Sequence, residues 1–134
     1  MHEQVNDHFS TTDVGVFAAA VADYKPAFEA KNKIKKSDSN LNISLNKTVD
    51  ILAEMGNKKN DKQFIVGFAL ETDNEVENAK DKLKRKNLDM IVLNSLNNKG
   101  AGFQHNTNKI TIIDKANNIS NFELKDKSEV AKDV

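Results

Sequence analysis

Lysines supply most of the chemistry this sequence could perform. They concentrate in two clusters, Lys33-Ile34-Lys35-Lys36 and Lys80-Asp81-Lys82-Leu83-Lys84-Arg85-Lys86. An ammonium is a compact, mobile point charge, so lysines gathered from separate segments suit a triphosphate. Lys82 and Lys86 are four apart, which places them on one face of a helix, as a shared ligand requires. Other polar groups follow three apolar runs: Asp23-Tyr24-Lys25-Pro26 after Ala20-Val21-Ala22, then Glu71-Thr72 after Leu70, then Asn94. Ligands of an open α/β sheet gather beyond the carboxyl ends of its strands, so these groups converge on one edge. The residues alone point to an anion site of nucleotide size.

Each of these features also has a plainer reading. A lysine run on a helix is commonly a solvated face. Lys33 to Lys36 could be a simple exposed loop, Asp23 a cap or turn residue, and Phe68 part of a core. The generic motifs are absent: there is no G-x-G-x-x-G, no G-x-x-x-x-G-K-[ST] and no G-x-S-x-G. Gly100-Ala101-Gly102 sits in a polar loop that opens no helix. His2, His8 and His105 lack ligand-like spacing, so no protein metal site is expected.

Composition narrows the classes further. Lys and Arg total 20 and Asp and Glu total 20 in 134 residues, so no net field favours nucleic acid or an anionic membrane. Tyr24 is the one Tyr and Trp is absent, which leaves the Lys80 to Lys86 strip without a stacking platform for single strands. The lack of Cys excludes a disulfide scaffold, a thiolate zinc site and a cysteine nucleophile. The longest apolar run, Val14 to Ala22, falls far short of the roughly 20 residues a membrane helix needs. Met1-His2-Glu3-Gln4 has no secretory character, and a cytoplasmic protein is the expectation. Arg85 is the single arginine and Asn is abundant, as AT-rich coding DNA would produce, so only the placement of the lysines is informative.

An α/β fold must position these groups. Val14 to Ala19, Phe64 to Ala69 and Met90 to Leu93 are near-continuous apolar runs, the pattern of parallel strands buried on both faces. Between the last two, Val76, Ala79 and Leu83 recur at helical spacing within Asp73 to Lys86, giving a βαβ unit. A helix is predicted from Lys47 to about Lys58, with Val49, Leu52 and Met55 on one face, and a half-exposed strand over Leu41 to Leu45. Beyond the polar loop Ser95 to Thr107, Lys109 to Asp114 and Ile119 to Leu124 form a hairpin, and Lys125 to Val134 a short helix. The predicted fold is a Rossmann-like, mostly parallel sheet flanked by helices with a C-terminal β-hairpin. Residues 1–134 then form a single domain or the C-terminal part of one. Met1, Val5 and Phe9, four apart, predict the back end of a helix with no strand before it. Doubly wound folds open on a strand and a glycine-rich turn, so Met1 is expected to lie inside a longer protein.

At these residues the chain resembles the phosphopantothenoylcysteine synthetase (phosphopantothenate–cysteine ligase) family of coenzyme A biosynthesis. The stretches that carry the likeness are Ala18 to Pro26, Lys33-Ile34-Lys35-Lys36, Val66-Gly67-Phe68-Ala69-Leu70-Glu71-Thr72 and Lys82 to Asp89, with a weaker one in Gly102-Phe103 and Asn106 to Ile113. The resemblance implies a ligase that condenses 4′-phosphopantothenate with cysteine through an acyl-cytidylate formed from CTP, with Mg²⁺ bridged by the substrate. It implies Lys33 as the lysine that closes over the intermediate. It implies nucleotide contacts at Phe17, Ala18, Ala19, Asp23, Lys33, Asp50, Ile51, Phe68, Lys82 and Lys86, with Phe68 and Phe17 to Ala19 acting through main-chain groups. It further implies a homodimer, and a flavin decarboxylase domain elsewhere in the parent chain with no flavin in this segment.

Two departures bear on that reading. Thr48-Val49-Asp50-Ile51 stands where the family has Asn-Pro-Asp-Ile, and Leu70 stands where a second Ala is common. The family's first strand, glycine-rich turn, and an Arg and Asn that handle the acyl intermediate find no match here. The expectation is therefore that this polypeptide alone holds half a site and turns over little. The competing reading is a non-catalytic nucleotide-binding or interaction module with the same fold.

Overall fold

The computed structural model describes residues 1–36, 40–95, 97 and 105–134. The Gly100-Ala101-Gly102 segment and Phe103 lie outside the described residues. In chain order the elements are α1 (His2–Phe9), β1 (Val14–Phe17), β2 (Tyr24–Pro26), β3 (Leu45–Lys47), α2 (Ile51–Lys58), β4 (Phe64–Glu71) and α3 (Glu75–Arg85). There follow β5 (Met90–Ser95), β6 (Thr107–Asn108), β7 (Ile110–Asp114), β8 (Ile119–Asn121), β9 (Lys125–Asp126) and α4 (Lys127–Asp133). They form two compact units, Ala19–Asp50 and the remainder, Met1–Ala18 with Ile51–Val134.

The larger unit is built on a five-stranded sheet of order β1-β4-β5-β7-β8. β1, β4 and β5 run parallel, with Val14 opposite Phe64 and Val66 opposite Met90. β7 and β8 are antiparallel, Met90 facing Asp114 and Ile113 facing Ile119. This is the predicted mostly parallel sheet with its C-terminal hairpin. Successive side chains of a strand point to opposite faces. Ile65, Ala69, Ile91 and Leu93 therefore pack with Met55, Ala79 and Leu83 from α2 and α3 on one face. Val66 and Val92 pack with Ile110 and with Val130 from α4 on the other. Gly67 lets the first layer close down, because a Cβ there would stand 2.7 Å from Leu88 and 2.9 Å from Leu52.

The crossover helix ends as its sequence dictates. After the C-cap Lys86, Asn87 takes a left-handed backbone, φ 49°. The Leu88 amide donates to the Leu83 carbonyl and the Asn87 amide to that of Lys84, both carbonyls of the last turn. This is the Schellman arrangement, with Leu83 and Leu88 making its apolar contact inside the core. The Asn87 side chain also donates to the Gly56 carbonyl at 2.8 Å, tying the end of α3 to α2.

A second tie lies at the opposite end of the strands from the chemistry expected of the fold. Asp89 Oδ2 accepts from Lys59 Nζ at 2.5 Å and from the Ile65 amide at 2.8 Å. The Lys59 and Asp89 side chains are 8% and 16% exposed. The Asp89 amide returns a bond to the Ile65 carbonyl, and the Lys115 amide donates to the Asp89 carbonyl. One residue thus fixes where β4 starts against β5 through its carboxylate and anchors the β7–β8 turn through its main-chain carbonyl.

The smaller unit is an antiparallel pair, β2 with β3, in which Tyr24 faces Lys47 and Pro26 faces Leu45. Most of its residues are exposed.

Several expected boundaries move. The first apolar run does not form a strand buried on both faces: β1 stops at Phe17, and Val14 and Val16 are 57% and 54% exposed. β1 is the edge of the sheet, and α4 covers the face over Val66, Val92 and Ile110 rather than β1. The helix predicted from Lys47 begins at Ile51, since Lys47 closes β3 and Val49 is exposed. The strand predicted over Leu41 to Leu45 instead runs Leu45–Lys47, where pairing with β2 outweighs alternation. β5 continues through Asn94 to Ser95.

Candidate functional site

In the smaller unit, a cavity of about 300 Å³ is lined by Asp23, Tyr24, Lys47, Thr48 and Asp50. Its walls come from the β2–β3 pair and the residues flanking it. The Thr48 amide donates to the Asp23 carbonyl at 2.9 Å, and Thr48 Oγ1 donates to the Ala22 carbonyl at 2.6 Å. These bonds clamp the backbone on either side of Asp23, which lines the cavity together with Asp50. Two carboxylates are acceptors for hydroxyl groups, and Lys47 adds a cation. Asp23 and Asp50, predicted from motifs far apart in the chain, are therefore brought together. Lys33 lies in the same unit, exposed in an irregular stretch, and is not part of this cavity wall.

The remaining predicted residues divide as follows. Ala19 belongs to the smaller unit, and Phe17, Ala18, Ile51, Phe68, Lys82 and Lys86 to the larger. Ile51, the first residue of α2, is 6% exposed in the core, and Phe17 is partly buried against the same cluster. The Phe68 ring joins Val66, Val92 and Ile110 on the other face of the sheet. Its main chain has a distinct position. The β1–β4 ladder ends with Phe17 opposite Gly67, so from Phe68 to Glu71 that side of β4 lies beyond β1.

Lys82 lines a second cavity, about 630 Å³, with Glu71, Asn78, Asp81, Lys84 and Arg85. Its ammonium is bonded to Glu71 at the end of β4, and Asn78 donates to the same carboxylate at 3.3 Å. Lys86, one turn on, is the half-buried C-cap of α3, its amide donating to the Lys82 carbonyl. Sequence reasoning placed Glu71 at the strand end without seeing that it holds Lys82. The signal was available: a carboxylate at a strand terminus beside a helix that carries lysines at spacing four. Lys47 and Thr48 were also missed, because they were placed on a helix, whereas Lys47 ends β3 and Thr48 follows it.

At the ends of β4 and β5, Ser95 Oγ donates to Glu75 Oε1 at 2.5 Å, and the Asn97 side chain donates to Glu75 and to the Thr72 carbonyl. Asn94, expected at this rim, is the penultimate residue of β5, and its side-chain oxygen accepts from the Asn108 side chain of β6 at 2.9 Å. Among the described residues no three His, Cys, Asp or Glu side chains are grouped to hold a metal ion, and no helix is long and apolar enough to cross a membrane.

Relatives share this framework. The chain is 56% identical over 134 residues to a cysteine/cysteine sulfinic acid decarboxylase from an unknown prokaryotic organism, covering 37% of that protein. It is 39% identical over 134 residues to the coenzyme A biosynthesis bifunctional protein CoaBC of Bacillus subtilis (strain 168), covering 33% of it. It thus spans about a third of the length of these curated relatives. A crystal structure of the C-terminal domain of a CoaBC protein superposes with a TM-score of 0.76 at 36% identity, over 98% of this chain and 56% of that one. Residues 1–134 match one family along their whole length, and the chain belongs to it: the DNA/pantothenate metabolism flavoprotein C-terminal domain.

Proposed function

We propose that the chain is the nucleotide-binding part of a phosphopantothenate–cysteine ligase. One observation supports this most: Asp23 and Asp50, matched separately to the family's nucleotide positions, line a single cavity. In the proposed reaction a carboxylate oxygen of 4′-phosphopantothenate attacks the α-phosphorus of CTP. The bond to pyrophosphate breaks and an acyl-cytidylate forms. The amine of cysteine then attacks the acyl carbon, forms the amide, loses a proton and expels CMP. No protein nucleophile is needed, which suits a chain without cysteine. Its residues hold two anions in line and neutralise charge that builds on the phosphates.

Lys33 is the residue assigned to the reacting phosphate, Asp23 and Asp50 to the ribose, and the main chain at Phe68 and Phe17 to Ala19 to the base. Lys82 and Lys86 contribute further positive charge. The described residues offer no three-carboxylate cage, so Mg²⁺ would arrive on the triphosphate with its own waters, and no step here is assigned to it. A homodimer located in the cytoplasm is part of the proposal.

The test is pyrophosphate release by the full-length protein. Release from CTP should require phosphopantothenate and Mg²⁺, and should fall at least about 100-fold in Lys33→Ala. The decarboxylase name of the 56% identical relative favours a second reading, in which the chain is a non-catalytic nucleotide-binding module. CTP binding without pyrophosphate release would support that reading and reject the ligase.

A further inference from the structure

We propose that Lys47 is a further substrate-binding residue, which anchors a phosphate of the nucleotide in the cavity of the smaller unit. The inference rests on the nucleotide reading above and adds a residue that neither the motifs nor the matched positions assign.

Three observations carry it. Tyr24 and Lys47 are directly opposed in the antiparallel β2–β3 pair, and opposed residues project from the same face. Both line the cavity of about 300 Å³, as do Asp23, Thr48 and Asp50. Among the described residues the Lys47 ammonium has no ion pair or hydrogen-bond partner, although two carboxylates line the same cavity. Lys59, Lys82 and Lys125, by contrast, are each held by an Asp or Glu.

A cavity lined by two acidic residues and by a lysine with an uncommitted ammonium matches a sugar diol joined to a phosphate. The carboxylates accept from hydroxyls and repel phosphate oxygens, so the anionic end of the ligand is directed to the lysine. The Thr48 clamp on Ala22 and Asp23 immediately follows Lys47, so the cation is held in register with the carboxylate by one residue's hydrogen bonds.

The experiment is calorimetric titration of the full-length protein with CTP and, separately, with cytidine. Lys47→Gln should weaken CTP binding about tenfold, the loss of one charge-assisted phosphate contact, and leave cytidine binding unchanged. Lys47→Arg should retain most of the CTP affinity. Thermal melting of each variant should match the parent, because an exposed lysine without partners contributes little to folding. The proposal is overturned if Lys47→Gln binds CTP within twofold of the parent, or if cytidine affinity falls as far as that for CTP. Failure of the parent protein to bind CTP would instead remove the nucleotide reading, and Lys47 with it.

Discussion

Replacing Asp89 by Ala tests how the five-stranded sheet of the larger unit is registered. The Asp89 carboxylate, 16% exposed, is the charge partner of Lys59, whose side chain is 8% exposed, and it also accepts from the Ile65 amide. Removing one member of a buried ion pair costs about 3–5 kcal/mol, because the other charge stays desolvated. That is a large share of the roughly 5–15 kcal/mol that holds a domain together. Asp89→Asn keeps an acceptor for Ile65 and loses only the charge, so its cost should be smaller. The double variant Lys59→Met, Asp89→Leu should recover most of the loss, since an apolar pair leaves no orphan charge. Urea denaturation of the four proteins gives the free energies. If Asp89→Ala loses less than about 1 kcal/mol, or if the double variant is as unstable as the single, the carboxylate does not lock β4 to β5 and the reasoning fails.

Three further outcomes follow from the packing. Gly56→Ala should be disruptive, costing more than about 2 kcal/mol by denaturation, because its Cβ would stand 1.8 Å from the Lys86 carbonyl oxygen. Asn87→Gly should cost less than Asn87→Ala in melting experiments, since φ is 49° there and both changes lose the side-chain bond to Gly56, so only the backbone separates them. Glu54 is held down to about 2 by its hydrogen bond from Lys58 and then that from His2. A carboxyl lowered in the folded state stabilises above its ordinary value near 4.5, and that contribution is lost as pH falls from there toward 2. Melting curves across this window should drop more steeply in the parent than in Glu54→Gln, and identical slopes would reject the assignment.

The centre of the sheet was legible because its residues leave no alternative. Phe64 to Ala69 and Met90 to Leu93 are too apolar to sit anywhere but between two layers, and Val76, Ala79 and Leu83 admit only a helix between them. The periphery was not. Val14-Gly15-Val16-Phe17 has the same texture, yet half of it is exposed, because a sheet edge depends on what lies beside it rather than on the strand's own sequence. β2 escaped notice because three residues ending in Pro26 carry no periodicity. Its pairing with β3 is a long-range contact, and that contact also moved the start of α2 from Lys47 to Ile51. The site followed the same division. Asp23, Asp50 and Lys82 are expected from motif position, whereas the places of Lys47, Thr48 and the Glu71 partner of Lys82 emerge only once strands are paired.

α3 is bracketed by Asn74 and Asn87, both with left-handed backbones, at φ 45° and 49°. Reversals at both ends make the helix a spacer of set length between β4 and β5. Inserting one residue within Glu75–Arg85 would swing everything downstream by about 100° around the axis. Lys82 would then turn away from Glu71, and Leu83 would leave the apolar layer. Insertions and deletions are therefore far less tolerable here than substitutions on the outer face, and length variation among relatives should fall elsewhere in the chain.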